Sequence, residues 1–169
     1  YSISIWDDIK KTKEENQLKH PAMFPAALAK RLIQCFTNNN DNLIFDPFVG
    51  VGSTLIAAKE LGKDSVGIEI SEEFANIAER RISQILPFMG DVNTAVFIAD
   101  SRETLEHIKP NTVDMVITSP PYWDILLQKR TADYKEQRDY GNAESDLGKI
   151  NDYWQFLLEL RKIFEQVYI

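Results

Sequence analysis

The stretch that decides the fold is Asn42-Leu43-Ile44-Phe45-Asp46-Pro47-Phe48-Val49-Gly50-Val51-Gly52-Ser53-Thr54. Leu43-Ile44-Phe45 is a short, unbroken apolar run, the pattern of a strand buried on both faces. Gly50-Val51-Gly52 reads as a tight turn whose glycines let backbone approach a ligand closely. Ser53 is the expected N-cap of a helix that closes at Gly62. Strand, glycine turn and helix open a parallel βαβ unit.

The alternation continues on both sides. Ser65-Val66-Gly67-Ile68-Glu69-Ile70 reads as a second strand. Ser71 caps a helix with Phe74, Ile77, Ala78, Ile82 and Ile85 on one face, ended by Pro87. Residues 95–100 read as a third strand, followed by a short helix from Ser101 to about Ile108. Residues 113–118 read as a fourth, stopped by Ser119-Pro120-Pro121-Tyr122. Upstream, residues 1–19 form a polar arm. Pro25 is expected in the first turn of a helix carrying Leu28, Leu32, Cys35 and Phe36 at helical spacing, with Cys35 in the core. Residues 123–150 are long and polar, the mark of a functional or mobile loop. From Asp152, the positions of Tyr153, Phe156, Leu157, Leu160, Ile163, Phe164 and Val167 predict an amphipathic helix with this stripe as core. Strands alternating with helices imply an α/β fold, a parallel sheet covered on both faces.

Composition bounds the function. The chain has 169 residues, 44% hydrophobic and 27% charged, which excludes a disordered tail. No apolar run is long enough to cross a bilayer, and no secretory pattern is visible. Cys35 is the single cysteine and His20 and His107 the two histidines, so neither an intrachain disulfide nor a zinc catalyst is expected. A reduced, cytoplasmic setting is the expectation. A net charge of −7 speaks against non-specific binding to a polyanion, although Lys129, Arg130, Lys135 and Arg138 make one stretch locally basic. The chain starts at Tyr1 and stops at Ile169 within a helical pattern, and is read as a piece of a longer protein.

In parallel α/β sheets, ligands sit at the carboxyl ends of the strands. Those ends hold the unusual residues. Asp46 follows the first strand, where a carboxylate would repel a phosphate and welcome a positive group. Position 55 is Leu rather than the third glycine of a dinucleotide fingerprint, which disfavours a pyrophosphate site. Glu69 ends the second strand, placed to accept from both ribose hydroxyls. Asp100 ends the third and can accept from an adenine amine or cap the following helix. Singly, each acid is more often an ordinary strand-end residue; together they describe a pocket for a nucleoside with a cationic tail. Beyond the fourth strand, the Ser119 hydroxyl and Pro120 carbonyl make two acceptors for one amino group. Pro121 cannot continue a ladder. Tyr122 supplies a flat face for a base.

These motifs resemble those of the S-adenosylmethionine-dependent DNA amino-methyltransferases, which modify cytosine N4 or adenine N6. Residues 46–54 look like the cofactor motif, Ser119-Pro120-Pro121-Tyr122 like the catalytic motif, and His20-Pro21-Ala22-Met23-Phe24-Pro25 like the segment that closes over the methionine end of the cofactor. The resemblance implies a Rossmann-like class I methyltransferase fold with strand order 3-2-1-4, the remaining family strands being absent. The chain is then an incomplete catalytic domain over 1–169: arm and helix 1–41, cofactor and catalytic motifs 42–122, mobile loop 123–150, helix 151–169.

The resemblance implies a cofactor site of His20, Phe24, Pro25, Asp46, Pro47, Phe48, Gly50, Gly52, Ser53, Thr54, Glu69, Ile70, Asp100 and Ser101. It implies catalytic roles for Ser119, Pro120, Pro121 and Tyr122, and substrate contacts from Tyr122, Trp123, Lys129 and Arg130. No metal is implied. The implied partner is double-stranded DNA with a flipped target base, and a restriction-modification partner and a homodimer are compatible with it. Ser at the first catalytic position favours cytosine N4 in the family. Adenine N6, RNA guanine N2 and an inactive or partner-dependent cofactor-binding subunit are the alternatives. An exocyclic amine is a poor nucleophile because its lone pair is delocalised into the ring. Two acceptors that favour a pyramidal nitrogen free that lone pair, so no catalytic Cys or His is needed.

Overall fold

The computed structural model describes residues 5–18, 20, 22–86, 91–123 and 146–168. The elements are α1 (Lys13–Gln17), α2 (Ala26–Phe36), β1 (Leu43–Asp46), α3 (Ser53–Glu60), β2 (Asp64–Glu69), α4 (Glu72–Ser83), β3 (Thr94–Ile98), a 3-10 turn (Ser101–Glu103) leading into α5 (Thr104–His107), β4 (Met115–Val116), a second 3-10 turn (Leu147–Lys149) and α6 (Tyr153–Val167). The strands form one parallel sheet in the expected order, β3-β2-β1-β4.

The sheet order puts β1 in the middle, with both faces covered. Successive side chains of a strand point to opposite faces. Ile44 packs with Ala29 and Ile33 of α2 and with Ala57 and Ala58 of α3. Phe45 packs on the other face with Ile68 and Ile108, backed by Val167 of α6. Both are essentially inaccessible, and burying each such side chain stabilises the fold by about 1.5–3 kcal/mol. Helix α3 is buried nearly all round, from Ser53 to Ala58. A central helix pressed between its neighbours needs no polar face.

Several local expectations are corrected. Pro25 occupies the N-cap of α2 rather than its first turn. Gly52, left-handed at φ 88°, takes the cap position of α3, and Ser53 is the first helical residue. The buried face of α2 is Ala29 and Ile33. Cys35 lies two positions past Ile33, on the opposite side of the helix, and is exposed rather than core. Phe36, in the last turn, is exposed as well. In α6 the buried positions are Phe156, Glu159 and Ile163, while Tyr153 and Phe164 of the expected stripe are exposed. Glu159 can be buried because Arg102, Lys162 and Gln155 all donate to it. Pro87, expected to end α4, lies outside the described residues, as does residue 21 of the arm motif. Gly62 and Ser71 behave as expected: Gly62 is left-handed just past α3, and the Ser71 hydroxyl accepts from the Phe74 N–H.

Candidate functional site

All four strands end at one cleft, with an empty volume of about 580 Å³ that is partly open to solvent. Pro47, Phe48 and Gly50 line it from β1, Ile68, Glu69 and Ile70 from β2, Asp100 and Ser101 from β3, and Ser119 and Pro121 from β4. His20 and Ala22 close it from the arm. Asp146, Leu147 and Ile163 complete the wall. Sequence reading missed these three because they come from the far end of the long loop and from α6. The described end of that loop is packed, with Asp146 and Leu147 buried.

The glycine turn is positioned from three directions. The Val49 N–H donates to the Ile68 carbonyl at 3.0 Å, tying the turn to β2. The Gly50 N–H donates to Glu69 Oε2 at 2.8 Å, and the Ser71 N–H donates to Oε1 at 2.9 Å. Gly50 itself is left-handed at φ 52°, and a Cβ there would lie 2.9 Å from His20 Nε2. Both the conformation and the close approach require glycine. His20 packs on Phe74, ring centroids 4.6 Å apart, and burial pushes its imidazole down to about 4, so it is neutral at pH 7.

The acids differ in role. Asp46 is fully buried beneath the turn rather than in the cleft wall. It accepts from the Thr54 hydroxyl at 2.6 Å and the Phe48 N–H at 3.0 Å, and burial pushes it up to about 6. Glu69 does line the cleft, and burial pushes it up to about 7 against the pull of its two backbone donors. Each Glu69 oxygen has one backbone donor, which leaves each a second lone pair. Asp100 caps the 3-10 turn through the Arg102 N–H and also holds the Arg102 guanidinium at 2.5 Å. Of its two expected roles, the structure displays the cap, and an adenine amine would have to compete with Arg102.

Of the remaining expected residues, Phe24 packs into the α2–α3 core and Pro25 caps α2. Gly52, Ser53 and Thr54 lie behind the turn, and the buried Ser53 hydroxyl has no partner among the described residues. Tyr122 is half-exposed beside Pro121. Trp123 was expected to extend the target pocket. Its indole N–H donates to the Ile150 carbonyl at 2.9 Å, and its ring meets Tyr153 edge-on at 5.1 Å. It anchors the end of the motif to the start of α6. Lys129 and Arg130 lie outside the described residues.

The cleft suits a nucleoside carrying positive charge. Its described charged groups are carboxylates, with no Lys or Arg in the wall. Glu69 offers paired acceptors for a diol, and Ile70 and Phe48 offer apolar surface. Among the described residues no cluster of side chains could hold a metal ion, and no helix is long and apolar enough to cross a membrane.

Residues 2–80 match the family model described as DNA methylase (N6_N4_Mtase). This stretch is similar to the DNA amino-methyltransferases. S-adenosylmethionine is the methyl donor of that family, and the lone pairs of Glu69 and the glycine-only approach at Gly50 fit it. Relatives include the type II methyltransferase M.MthZI of Methanothermobacter thermautotrophicus, 33% identical over 92 residues, 52% of this chain and 26% of that protein. The type II methyltransferase M.ScaI of Streptomyces caespitosus is 44% identical over 63 residues, 37% of this chain and 20% of that protein. The chain thus matches about a quarter or less of the length of these methyltransferases. An RNA methyltransferase from Salinibacter ruber solved with S-adenosyl-L-homocysteine aligns with a TM-score of 0.45 at 17% identity, covering 62% of this chain and 64% of that one.

Proposed function

We propose that the protein transfers a methyl group from S-adenosylmethionine to an exocyclic amine of a DNA base, with cytosine N4 the target. The observation that carries this reading is that Ser119 and Pro121, from the end of β4, share one cleft with Gly50 and Glu69. The sulfonium of the bound cofactor supplies an electrophilic methyl carbon. Glu69 accepts from the ribose hydroxyls, and the Gly50 backbone passes beneath the cofactor. Ile70 lies against the adenine. The Ser119 hydroxyl and Pro120 carbonyl accept the two N–H groups of the target amine, turning its lone pair out of the ring. As the N–C bond forms, the bond from that methyl to sulfur would break, leaving the neutral thioether of S-adenosylhomocysteine, and the surplus proton on nitrogen would pass to water. Tyr122, half-exposed, stacks on the flipped base. The serine at position 119 favours cytosine over adenine. Recognition of a target sequence falls to the loop carrying Lys129 and Arg130, or to another part or chain.

Ser119→Ala tests the assignment. Losing one of two acceptors aimed at the reacting nitrogen should slow transfer about 100-fold, while calorimetry shows cofactor affinity within about twofold of wild type. Equal loss of cofactor affinity and transfer would remove Ser119 from the target-amine side of the cleft.

A further inference from the structure

The carbonyl of Val51, between the two glycines of the turn, accepts from Arg81 Nη1. Arg81 belongs to α4 and also faces Glu15 of α1, Nη2 to Oε1 at 3.6 Å. Glu15 is buried at 4% exposure, unusual for a carboxylate on a five-residue helix. Its oxygens accept from the Thr12 N–H at 2.8 Å and from the Ala26 N–H, the first of α2, at 2.8 Å. An apolar contact runs beside this polar one: Val51 packs with Met23 and Phe74, and Leu18 lies against them. Arm, glycine turn and α4 therefore meet at one buried ion pair. Of the five backbone groups bound by these two side chains and by Glu69, two, the Gly50 N–H and the Val51 carbonyl, belong to the turn.

We infer that Arg81 and Glu15 are positioning residues for the cofactor turn, and that docking of the arm through Glu15 and binding of the cofactor at Gly50 are coupled. The inference rests on the S-adenosylmethionine reading for its affinity arm only. Arg81 fixes the peptide that joins Val51 to Gly52. Glu15 fixes Arg81 and, through Ala26, the start of α2. His20, between them in sequence, packs where the Gly50 Cβ would lie. A ligand that holds Gly50 in its left-handed conformation also holds the surface on which the arm sits. Coupling of this kind is reciprocal: if the arm strengthens cofactor binding, the cofactor protects the arm by the same factor.

The test compares wild type, Arg81→Met, Arg81→Lys and Glu15→Gln. S-adenosylmethionine affinity is measured by calorimetry, and hydrogen exchange is followed in peptides covering residues 9–18 and 46–54, with and without cofactor. The expected result is about tenfold weaker binding for Arg81→Met, faster exchange in 46–54 without ligand, and partial recovery of both in Arg81→Lys. Glu15→Gln should show the same direction in 9–18, and cofactor should slow exchange there in wild type. Wild-type affinity in Arg81→Met with unchanged exchange in 46–54 would overturn the inference. So would faster exchange spread evenly over the whole chain, which marks a general loss of stability. If Arg81→Met does not fold, Arg81→Lys and Glu15→Gln decide. If wild type binds no S-adenosylmethionine, the proposed function fails, and exchange in 46–54 still decides the role of Arg81.

Discussion

Gly67→Val should destabilise the protein by about 3 kcal/mol and displace the cofactor turn with it. Gly67 lies inside β2, where no unusual backbone conformation demands glycine. The demand comes from Val49: a Cβ at position 67 would stand 2.7 Å from both Cβ and Cγ2 of Val49. The nearest atoms are the branched base of a valine, so no flexible tip can swing away. Val49 is held in place by its N–H bond to Ile68 and by packing on Leu55 and Ala78. Relief must therefore come from moving the turn that begins at Val49. Thermal unfolding should show a melting temperature lower by several degrees, and any folded variant should bind S-adenosylmethionine more weakly. A variant as stable as wild type would show that β2 and the turn are not in contact as described.

The second large effect is expected at Glu69. Glu69→Ala removes the acceptor of two backbone N–H groups and both proposed ribose acceptors, an expected loss of about 3 kcal/mol, or roughly a hundredfold in cofactor affinity. Its titration gives a separate signature. Burial raises this carboxyl to about 7, so folding favours its protonated form, and its contribution to stability falls as pH rises towards 7. The ionised carboxylate is the form that accepts from two hydroxyls. Cofactor affinity should therefore rise with pH through about 7 and level off above it, with proton release on binding below that point. Glu69→Gln should bind weakly with no such rise. An affinity flat between pH 6 and 8 in wild type would place the ribose elsewhere.

Much of this architecture can be read from local pattern. The strand-end residues Gly50, Glu69, Asp100 and Ser119 converge because a parallel sheet brings all its carboxyl ends to one edge, and the apolar run at Leu43 together with the cap at Ser71 announces that sheet. What escapes local reading is contact between distant segments. A glutamate in a polar arm gives no sign that it will be buried beneath Arg81, 66 positions later. Asp146 and Leu147 reach the cleft because α6 packs against the sheet, a matter of tertiary placement. Gly67 did carry a signal, since an isolated glycine within a strand marks close approach of another backbone or side chain. Cys35 shows the reverse error: helical spacing alone does not say which face of α2 meets the sheet, and Ala29 and Ile33 fill that face.

The most direct test is the product. DNA incubated with methyl-labelled S-adenosylmethionine and the protein, then digested to nucleosides and resolved by mass spectrometry, should carry the label as N4-methylcytosine, with the label absent in Ser119→Ala. Label on adenine N6 would overturn the cytosine assignment. Label on no nucleoside, from protein that binds the cofactor, would contradict the claim that this cleft methylates a DNA amine.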